Sequence, residues 1–190
     1  TMKKMLTIAA LLAATQTSFA QPAKPAYSYY EGLNLSMGVA QNATEVVPSA
    51  GASKGKSTVG VVKVNYTFAL AYPAKLGLSA TFDLKNSKVG DNEVLASTAP
   101  TEISIEPGIL LINNSLLYAK LGAYSSRYES SLGSRSLSGK SYGIGIKHYA
   151  YGQNFIQLEF TQRTTDSTNA GLGGDKFKQS SASALVGFNY

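Results

Sequence analysis

Residues 117–124 read LYAKLGAY. In this stretch Leu117 and Leu121 fall on one face of an extended chain, whereas Lys120 and Gly122 fall on the other. Alternation with a period of two predicts a β-strand that has one apolar and one polar face. Seven further stretches follow the same pattern, and their apolar positions begin at Leu33, Val62, Leu76, Ile103, Tyr142, Ile156 and Ala182. The sequence therefore predicts an all-β fold with eight strands.

The connections between these strands alternate in length. Tight turns are expected at 72–75, 113–115 and 150–153, and long loops rich in Gly and Ser at 42–56, 86–100, 129–140 and 164–176. Short turns on one edge and long loops on the other are typical of outer-membrane barrels. The strands, about ten to twelve residues each, are long enough to cross hydrocarbon when tilted. We therefore predict an eight-stranded antiparallel up-and-down transmembrane β-barrel over residues 31–190.

Alternation alone does not say which face of the sheet lines the interior. A secreted lipocalin-like carrier would hold the apolar face inside. Two features favour an apolar face that contacts lipid. Glycine recurs on the polar face, as expected where a small barrel leaves little interior room, at Gly77, Gly108, Gly122, Gly143, Gly145 and Gly187. Aromatic residues near the strand ends, which suit interfacial girdles, are Tyr66, Phe68, Tyr142, Phe155 and Phe188.

Composition argues against most catalytic chemistry. The 190 residues include no Cys and one His, so disulfide scaffolds and thiolate zinc sites are excluded, and we expect no cofactor. There are 17 Lys and Arg against 11 Asp and Glu, but the basic residues are scattered and do not form the stripe that nucleic-acid binding needs. We predict that the protein is not an enzyme and binds no nucleic acid.

The N-terminus carries an export signal. Lys3 and Lys4 precede an apolar stretch from Met5 to Ala14, and small residues at Ser18 and Ala20 precede a plausible cleavage site. The apolar stretch is too short to cross a bilayer as a helix. We predict a cleaved signal peptide over residues 1–20, followed by a periplasmic segment over residues 21–30.

Several stretches together resemble a known family. Residues 117–122, 142–147, 157–160 and the ending Val-Gly-Phe-Asn-Tyr at 186–190 are similar to the small eight-stranded outer-membrane barrels of the OmpA, OmpX and opacity-protein type, the "porin family" group. The resemblance implies residence in the bacterial outer membrane and contact with its lipid and lipopolysaccharide. It also implies that the barrel-assembly machinery recognises Phe188 and Tyr190, although Tyr replaces the commoner terminal Phe.

The resemblance is informative about architecture and poor for activity. It implies a non-enzymatic role, structural or in surface interaction, through long extracellular loops that would contact an unidentified ligand. A narrow porin or small-solute channel is the main alternative. A lipid A modifying enzyme is a further one, and in that case His148 would act with Ser141 or Ser181 and Glu159. Alternation places His148 and Glu159 on opposite faces, so an interfacial histidine is the better interpretation.

Charged residues on the polar face are expected to line the lumen. The cations are Lys63, Lys85, Lys120, Lys147 and Arg163, and the anions are Asp83, Glu102, Glu106 and Glu159. Counting outwards from the hairpin turns places Glu106 opposite or nearly opposite Lys120, and Lys63 likewise opposite or nearly opposite Asp83, with each pair on one face. The near-balance of charge predicts a plug of ion pairs that closes the lumen, with independent hydrated charges as the alternative.

The stretch AGASKGKS at residues 50–57 resembles a phosphate-binding loop, but the residues around it do not favour nucleotide binding. Nucleotide binding would require a helix directly after the glycine-rich loop, with its N-terminus facing the phosphates. The residues after Ser57 instead have the pattern of a strand. We expect a surface loop here.

Overall fold

A computed structural model describes residues 30–47, 53–88, 94–111, 114–130, 133–151, 153–165 and 176–190. The strands in these ranges are β1 (Gly32–Val47), β2 (Ser53–Ala71), β3 (Ala74–Asp83), β4 (Ser87–Lys88), β5 (Val94–Leu111), β6 (Ser115–Ser130), β7 (Gly133–Tyr151), β8 (Asn154–Thr165) and β9 (Lys176–Asn189). The predicted signal peptide lies outside the described residues, and only Tyr30 of the predicted periplasmic segment lies within them. Among the described residues, no helix is long and apolar enough to cross a membrane.

The strands form one closed antiparallel sheet. Its order is β3-β2-β1-β9-β8-β7-β6-β5, and a further pairing of β3 with β5 closes the ring. Strands that follow each other in the chain are neighbours in the sheet, apart from β4, a two-residue strand paired with the start of β5. The first and last strands pair along most of their length, from Asn34 with Asn189 to Val47 with Lys176. The predicted eight-stranded up-and-down barrel is confirmed.

The two faces of the barrel wall differ sharply in polarity. On the outer face, Ile103 is 62% exposed and Leu158 is 53% exposed. On the inner face, Lys63 and Lys120 are each only 1% exposed. This arrangement inverts that of a soluble carrier and contradicts the lipocalin-like alternative. Large apolar side chains cover the outside because lipid, rather than a protein core, is the environment that favours them there.

The strands extend well beyond the predicted strand ends. β1 and β2 stay paired out to Val46 and Ser53, where the sequence predicts a loop over residues 42–56. β6 and β7 likewise pair out to Ser130 and Gly133. The predicted loop boundaries are therefore wrong for these hairpins. Alternation of apolar residues marks only the part of a strand that has an apolar outer face. Backbone pairing does not need such a face, so the strands continue beyond the alternating part. The phosphate-loop-like stretch ends inside β2, because residues 53–57 are strand.

The hairpin between β2 and β3 has a different register from the predicted one. Val61 is opposite Asp83, and Lys63 is opposite Thr81. Lys63 and Asp83 are therefore not directly opposite: they share a face of the sheet and are offset by two residues. The turn is Tyr72-Pro73. An irregularity between Ala69 and Ala71 shifts the register of every pair farther from the turn. Counting from the turn cannot anticipate such a bulge, which adds a residue to one strand only and so accounts for one residue of the offset. The other residue arises because the turn is centred between Tyr72 and Pro73 rather than on Pro73.

Candidate functional site

A chain of alternating charges fills the middle of the lumen. The Lys63 Nζ atom lies 2.6 Å from Glu106 Oε1 and 2.6 Å from Glu159 Oε2. The other oxygen of Glu159 accepts from Lys120, at 2.7 Å, and Lys120 also lies 2.8 Å from Glu102 Oε1. These contacts connect strands β2, β5, β6 and β8 through side chains alone. These residues, together with Arg163 and Asp83, are joined by ion pairs. We call the seven residues the lumen ion chain: Glu106, Lys63, Glu159, Lys120, Glu102, Arg163 and Asp83.

Arg163 and Asp83 complete the lumen ion chain at its loop end. Arg163 Nε donates to Glu102 Oε2 at 2.8 Å, and its Nη1 lies 3.2 Å from Asp83 Oδ2. Arg163 Nη1 also donates to Gln179 Oε1 at 3.0 Å. A guanidinium is suited to this position because its five donors have a fixed planar arrangement. Among the described residues, the lumen ion chain has three cations and four carboxylates, and its cations alternate with its anions from end to end.

Neutral side chains satisfy the remaining acceptors of the lumen carboxylates. Glu106 accepts from Ser79 at 2.7 Å and from Asn65 at 3.1 Å. Glu159 accepts from the Tyr118 hydroxyl at 2.8 Å, and Ser141 donates to Glu102 at 3.1 Å. Burying charge is tolerated when ions are both paired and fully hydrogen-bonded. The lumen carboxylates are therefore both ion-paired and hydrogen-bonded by neutral donors.

The structure places the sequence-predicted lumen residues as follows. Asp83, Glu102, Glu106, Glu159, Lys63, Lys120 and Arg163 lie in the lumen ion chain. Lys147 is also in the lumen but lies apart, with its Nζ 3.3 Å from Asn34 Oδ1 and 4.6 Å from the centre of the Phe155 ring. The fifth predicted cation, Lys85, is exposed beyond the end of β3 and is not part of the lumen ion chain.

The predicted partners within the lumen need one correction. Glu106 and Lys120 share the lumen face, but the ions do not pair with each other. Glu106 binds Lys63, and Lys120 binds Glu102 and Glu159. Long side chains inside a narrow barrel reach across the lumen as easily as along the wall. Neighbours in the ladder therefore need not be partners in an ion pair.

A cluster of three aromatic residues and one leucine lies inside the barrel at the turn end. Tyr30, Leu116, Tyr149 and Phe155 are buried together, and the Tyr30 and Tyr149 rings meet edge to face with centroids 4.5 Å apart. Burial raises the pKa of the Tyr30 phenol, which precedes β1, to about 12. Beside the cluster, the buried ammonium of Lys75 pairs with Glu31. We call the four clustered residues the turn-end plug.

The predicted outward position of Phe155 is wrong, because Phe155 belongs to the turn-end plug. The sequence analysis assigns Phe155 to an outer aromatic girdle, but its side chain is 2% exposed inside the lumen. The sequence could have predicted this inward position, because Phe155 falls on the same face of the strand as Gln157 and Glu159. A Cβ on Gly187 would lie 2.5 Å from the Phe155 ring, so the ring occupies the space that this glycine leaves. Tyr66, Phe68 and Tyr142 do face outwards.

Apolar residues also line the lumen towards the loop end. Ala40, Val59, Val61 and Leu185 form a buried cluster there. The rings of Tyr124 and Phe177 lie with centroids 6.2 Å apart, and Leu137 is fully buried. From the turn end to the loop end, the described lumen therefore has aromatic, ionic and apolar layers. Sequence reasoning missed the aromatic layer at the turn end and the apolar layer at the loop end, because it considered only the charged residues of the inward face.

The residues considered for catalysis do not assemble. His148 is exposed on the outer face, where its Nδ1 lies 2.9 Å from the Ser115 hydroxyl. Ser141 and Glu159 are buried on the inner face. Among the described residues, no group of three His, Cys, Asp or Glu side chains could hold a metal ion. The C-terminal pair is also on the outside, with Phe188 half-buried and Tyr190 exposed, and their rings lie 4.6 Å apart.

Comparison with known proteins identifies the fold of the chain. No family model and no curated protein matches it. Among solved structures, Ail, the attachment invasion locus protein of Yersinia pestis, is similar over 83% of this chain and 99% of its own, with 17% identity and a TM-score of 0.52. Neisserial surface protein A, NspA, is similar over 84% of this chain and 100% of its own, with 13% identity and a TM-score of 0.56. The chain shares the fold of these small outer-membrane barrels.

Proposed function

We propose that this protein is a bacterial outer-membrane barrel without catalytic activity, and that it acts at the cell surface through the hairpins at the loop end. The observation that carries the proposal is the filled interior of a barrel whose outer wall is apolar. Such a wall requires lipid, and the lumen ion chain leaves the inside no role as an open pore. Interaction with other molecules then falls to the hairpins, which extend past the apolar wall. The name of Ail, attachment invasion locus protein, describes a surface role on the same fold.

Biogenesis and partners follow from this placement. The signal peptide would direct export, the barrel-assembly machinery would recognise the C-terminal strand with Phe188 and Tyr190, and lipid and lipopolysaccharide would surround the wall. A surface ligand would bind the hairpins. The paired strands of β1 and β2, which run out to Val46 and Ser53, support a projecting hairpin of this kind.

The test is expression of the full chain, with an epitope inserted between residues 48 and 52, in a Gram-negative host. We expect the protein in the outer-membrane fraction, with heat-modifiable migration in detergent gels and with the epitope accessible to antibody on intact cells. A soluble periplasmic product would contradict the proposal. A barrel whose epitope is masked on intact cells but accessible after lysis would contradict the assignment of the hairpins to the surface.

Planar-bilayer conductance separates the proposed function from the narrow-channel alternative. We expect the unmodified protein to show no large, stable conductance, because ion pairs and the turn-end plug occupy the described lumen. Lys120→Ala, which removes one cation from the lumen ion chain, should raise the frequency of brief openings. A large and stable pore in the unmodified protein would favour the channel.

A further inference from the structure

A row of charged side chains crosses the outer wall near the loop end. The ladder pairs Lys140 of β7 with Thr164 of β8, and Thr164 with Lys178 of β9. It continues from Lys178 to Glu45 of β1 and from Glu45 to Lys54 of β2. Residues directly opposite each other share a face of the sheet. We call these five residues the outer basic row, and its three lysines are about 10 Å apart because they occupy every second strand.

The charges of the outer basic row are poorly balanced. Glu45 is its one carboxylate, and it pairs with Lys54 at 3.2 Å. Neither Lys140 nor Lys178 has an ion-pair partner among the described residues, and both side chains are exposed. A further exposed lysine, Lys56, lies two positions along β2 from Lys54. Four cations against one carboxylate contrast with the lumen, where each cation of the ion chain has carboxylate partners.

The wall beside the outer basic row carries an apolar groove. It is shallow and open, and residues of β6 to β9, β1 and β2 line it, among them Ile144, Leu158, Phe160, Ala182, Ala184 and Val39. The two alanines of β9 leave space between the larger side chains of β8 and β1, since Ala182 is opposite both Phe160 and Gln41 in the ladder. At the border between groove and row, the Tyr142 hydroxyl donates to Gln162 at 2.8 Å. The polarity of the wall therefore changes from apolar through hydroxyl and amide to cationic within a few residues.

We propose that this face of the barrel is a docking site for a phosphorylated glycolipid of the outer leaflet. Phosphate groups would bind Lys140, Lys178 and the Lys54 and Lys56 pair, and one acyl chain would lie in the groove beside Ala182. The proposal rests on the proposed function, because it places the loop end at the outer leaflet. Charge complementarity decides the occupant: juxtamembrane lysines attract anionic headgroups, and phosphate oxygens accept strong charge-assisted hydrogen bonds. Neutral lipid would leave the unpaired cations without partners.

The experiment measures binding of purified bisphosphorylated lipid A to the barrel in detergent by native mass spectrometry. We expect Lys140→Gln combined with Lys178→Gln to weaken binding about 25-fold, about fivefold for each lysine removed. Arg127→Gln is the matched control. Arg127 is exposed on β6 four residues beyond Ala123, the partner of Lys140, so the control removes the same charge about 13 Å farther out. We expect it to leave binding unchanged.

The chemistry of the ligand is tested with two further probes. Lipid A stripped of both phosphates keeps its acyl chains, and we expect it to bind as weakly as the double variant does to intact lipid A. Inorganic pyrophosphate should compete only at far higher concentration, because it lacks the acyl chain that would occupy the groove. Equal binding of phosphorylated and stripped lipid A would overturn the proposal. So would wild-type affinity in the double variant, or an equal loss in Arg127→Gln.

The groove is tested by filling it. Ala182→Phe should weaken lipid A binding severalfold. The control is Ala80→Phe on β3, which fills a second outer groove, lined by residues that include Val64, Leu78 and Ile105. The two variants add the same side chain to the lipid-facing wall. Equal affinities in both would overturn the acyl-chain part of the proposal.

Compartment and fold are measured in parallel on every protein used. Each is extracted from the outer-membrane fraction and must show heat-modifiable migration before binding is measured. Absence of the unmodified chain from that fraction would overturn the proposed function. A correctly assembled double variant with undiminished lipid A binding would overturn the docking site alone.

Discussion

The Lys63 ammonium lies 2.6 Å from Glu159 Oε2, although Lys63 is on β2 and Glu159 is on β8. Two strands, β1 and β9, separate β2 from β8 in the sheet, so this ion pair crosses the lumen. The other Glu159 oxygen lies 2.7 Å from Lys120 of β6. One carboxylate therefore connects three strands of the wall through the interior. The lumen ion chain supplements the backbone ladders with contacts that span the barrel.

Glu159→Gln should lower the free energy of unfolding by about 3–5 kcal/mol, because it leaves two buried ammonium groups without their shared carboxylate. The measurement is urea unfolding in lipid vesicles, followed by the heat-modifiable gel shift. Glu45→Gln is the matched control: its pair with Lys54 is largely exposed, and its loss should cost less than about 1 kcal/mol. Equal stability of Glu159→Gln and the unmodified barrel would show that the lumen ion chain contributes nothing to folding.

Gly145→Ala should destabilise the barrel by displacing the Tyr118 ring. An added Cβ would lie 2.2 Å from the Tyr118 hydroxyl oxygen, and that hydroxyl donates to Glu159 at 2.8 Å. Overpacking of this kind costs about 1–3 kcal/mol. The test is a double-mutant cycle with Tyr118→Leu, in which the cost of Gly145→Ala should fall because the clashing ring is gone. The same cost in both backgrounds would rule out contact with Tyr118 as its cause.

Leu158→Lys tests whether the outer wall faces hydrocarbon. Leu158 is the middle one of the three large apolar residues that β8 presents outwards, Ile156, Leu158 and Phe160. A lysine at the centre of the bilayer costs about 2–4 kcal/mol in a transmembrane barrel, and near the interface the cost falls to about 0–1 kcal/mol. Tyr72→Lys, at the exposed turn, serves as the interfacial control in the same vesicle unfolding assay. Equal costs at the two positions would place the wall in water.

Phe188→Ser combined with Tyr190→Ser should lower the fraction of chains that reach the heat-modifiable form in the outer membrane. Phe188 lies on the outer face of the last strand and exposed Tyr190 directly follows that strand, so assembly machinery could contact both. Tyr190→Phe keeps the ring and should assemble normally. Tyr72→Ser controls for loss of an exposed aromatic elsewhere, since Tyr72 is 83% exposed. Normal assembly of the doubly substituted protein would exclude this pair as the recognition signal.

Local alternation was sufficient to predict the strands and their faces. Leu117 and Leu121 point outwards and Lys120 points inwards because successive side chains of a strand leave opposite faces, whatever the partner strand is. The same parity rule places Phe155 and Tyr149 in the lumen, and applying it to aromatic residues would have found these two members of the turn-end plug. What parity cannot give is where a strand stops, since Ser- and Gly-rich stretches such as residues 133–139 pair without an apolar face.

The sequence by itself determined that this chain forms an alternating meander with polar residues on one face, since strand parity is a local property of the backbone. Only the tertiary structure decided which ions meet. Closing the sheet brings β2, β5, β6 and β8 around one narrow axis, so that Glu106 binds Lys63 rather than Lys120, its neighbour across the hairpin. Closure also aligns Lys140, Lys178 and Lys54, from three distant parts of the chain, on one row. Both arrangements depend on ladder register and barrel curvature, and a single bulge or turn changes these for every residue that follows.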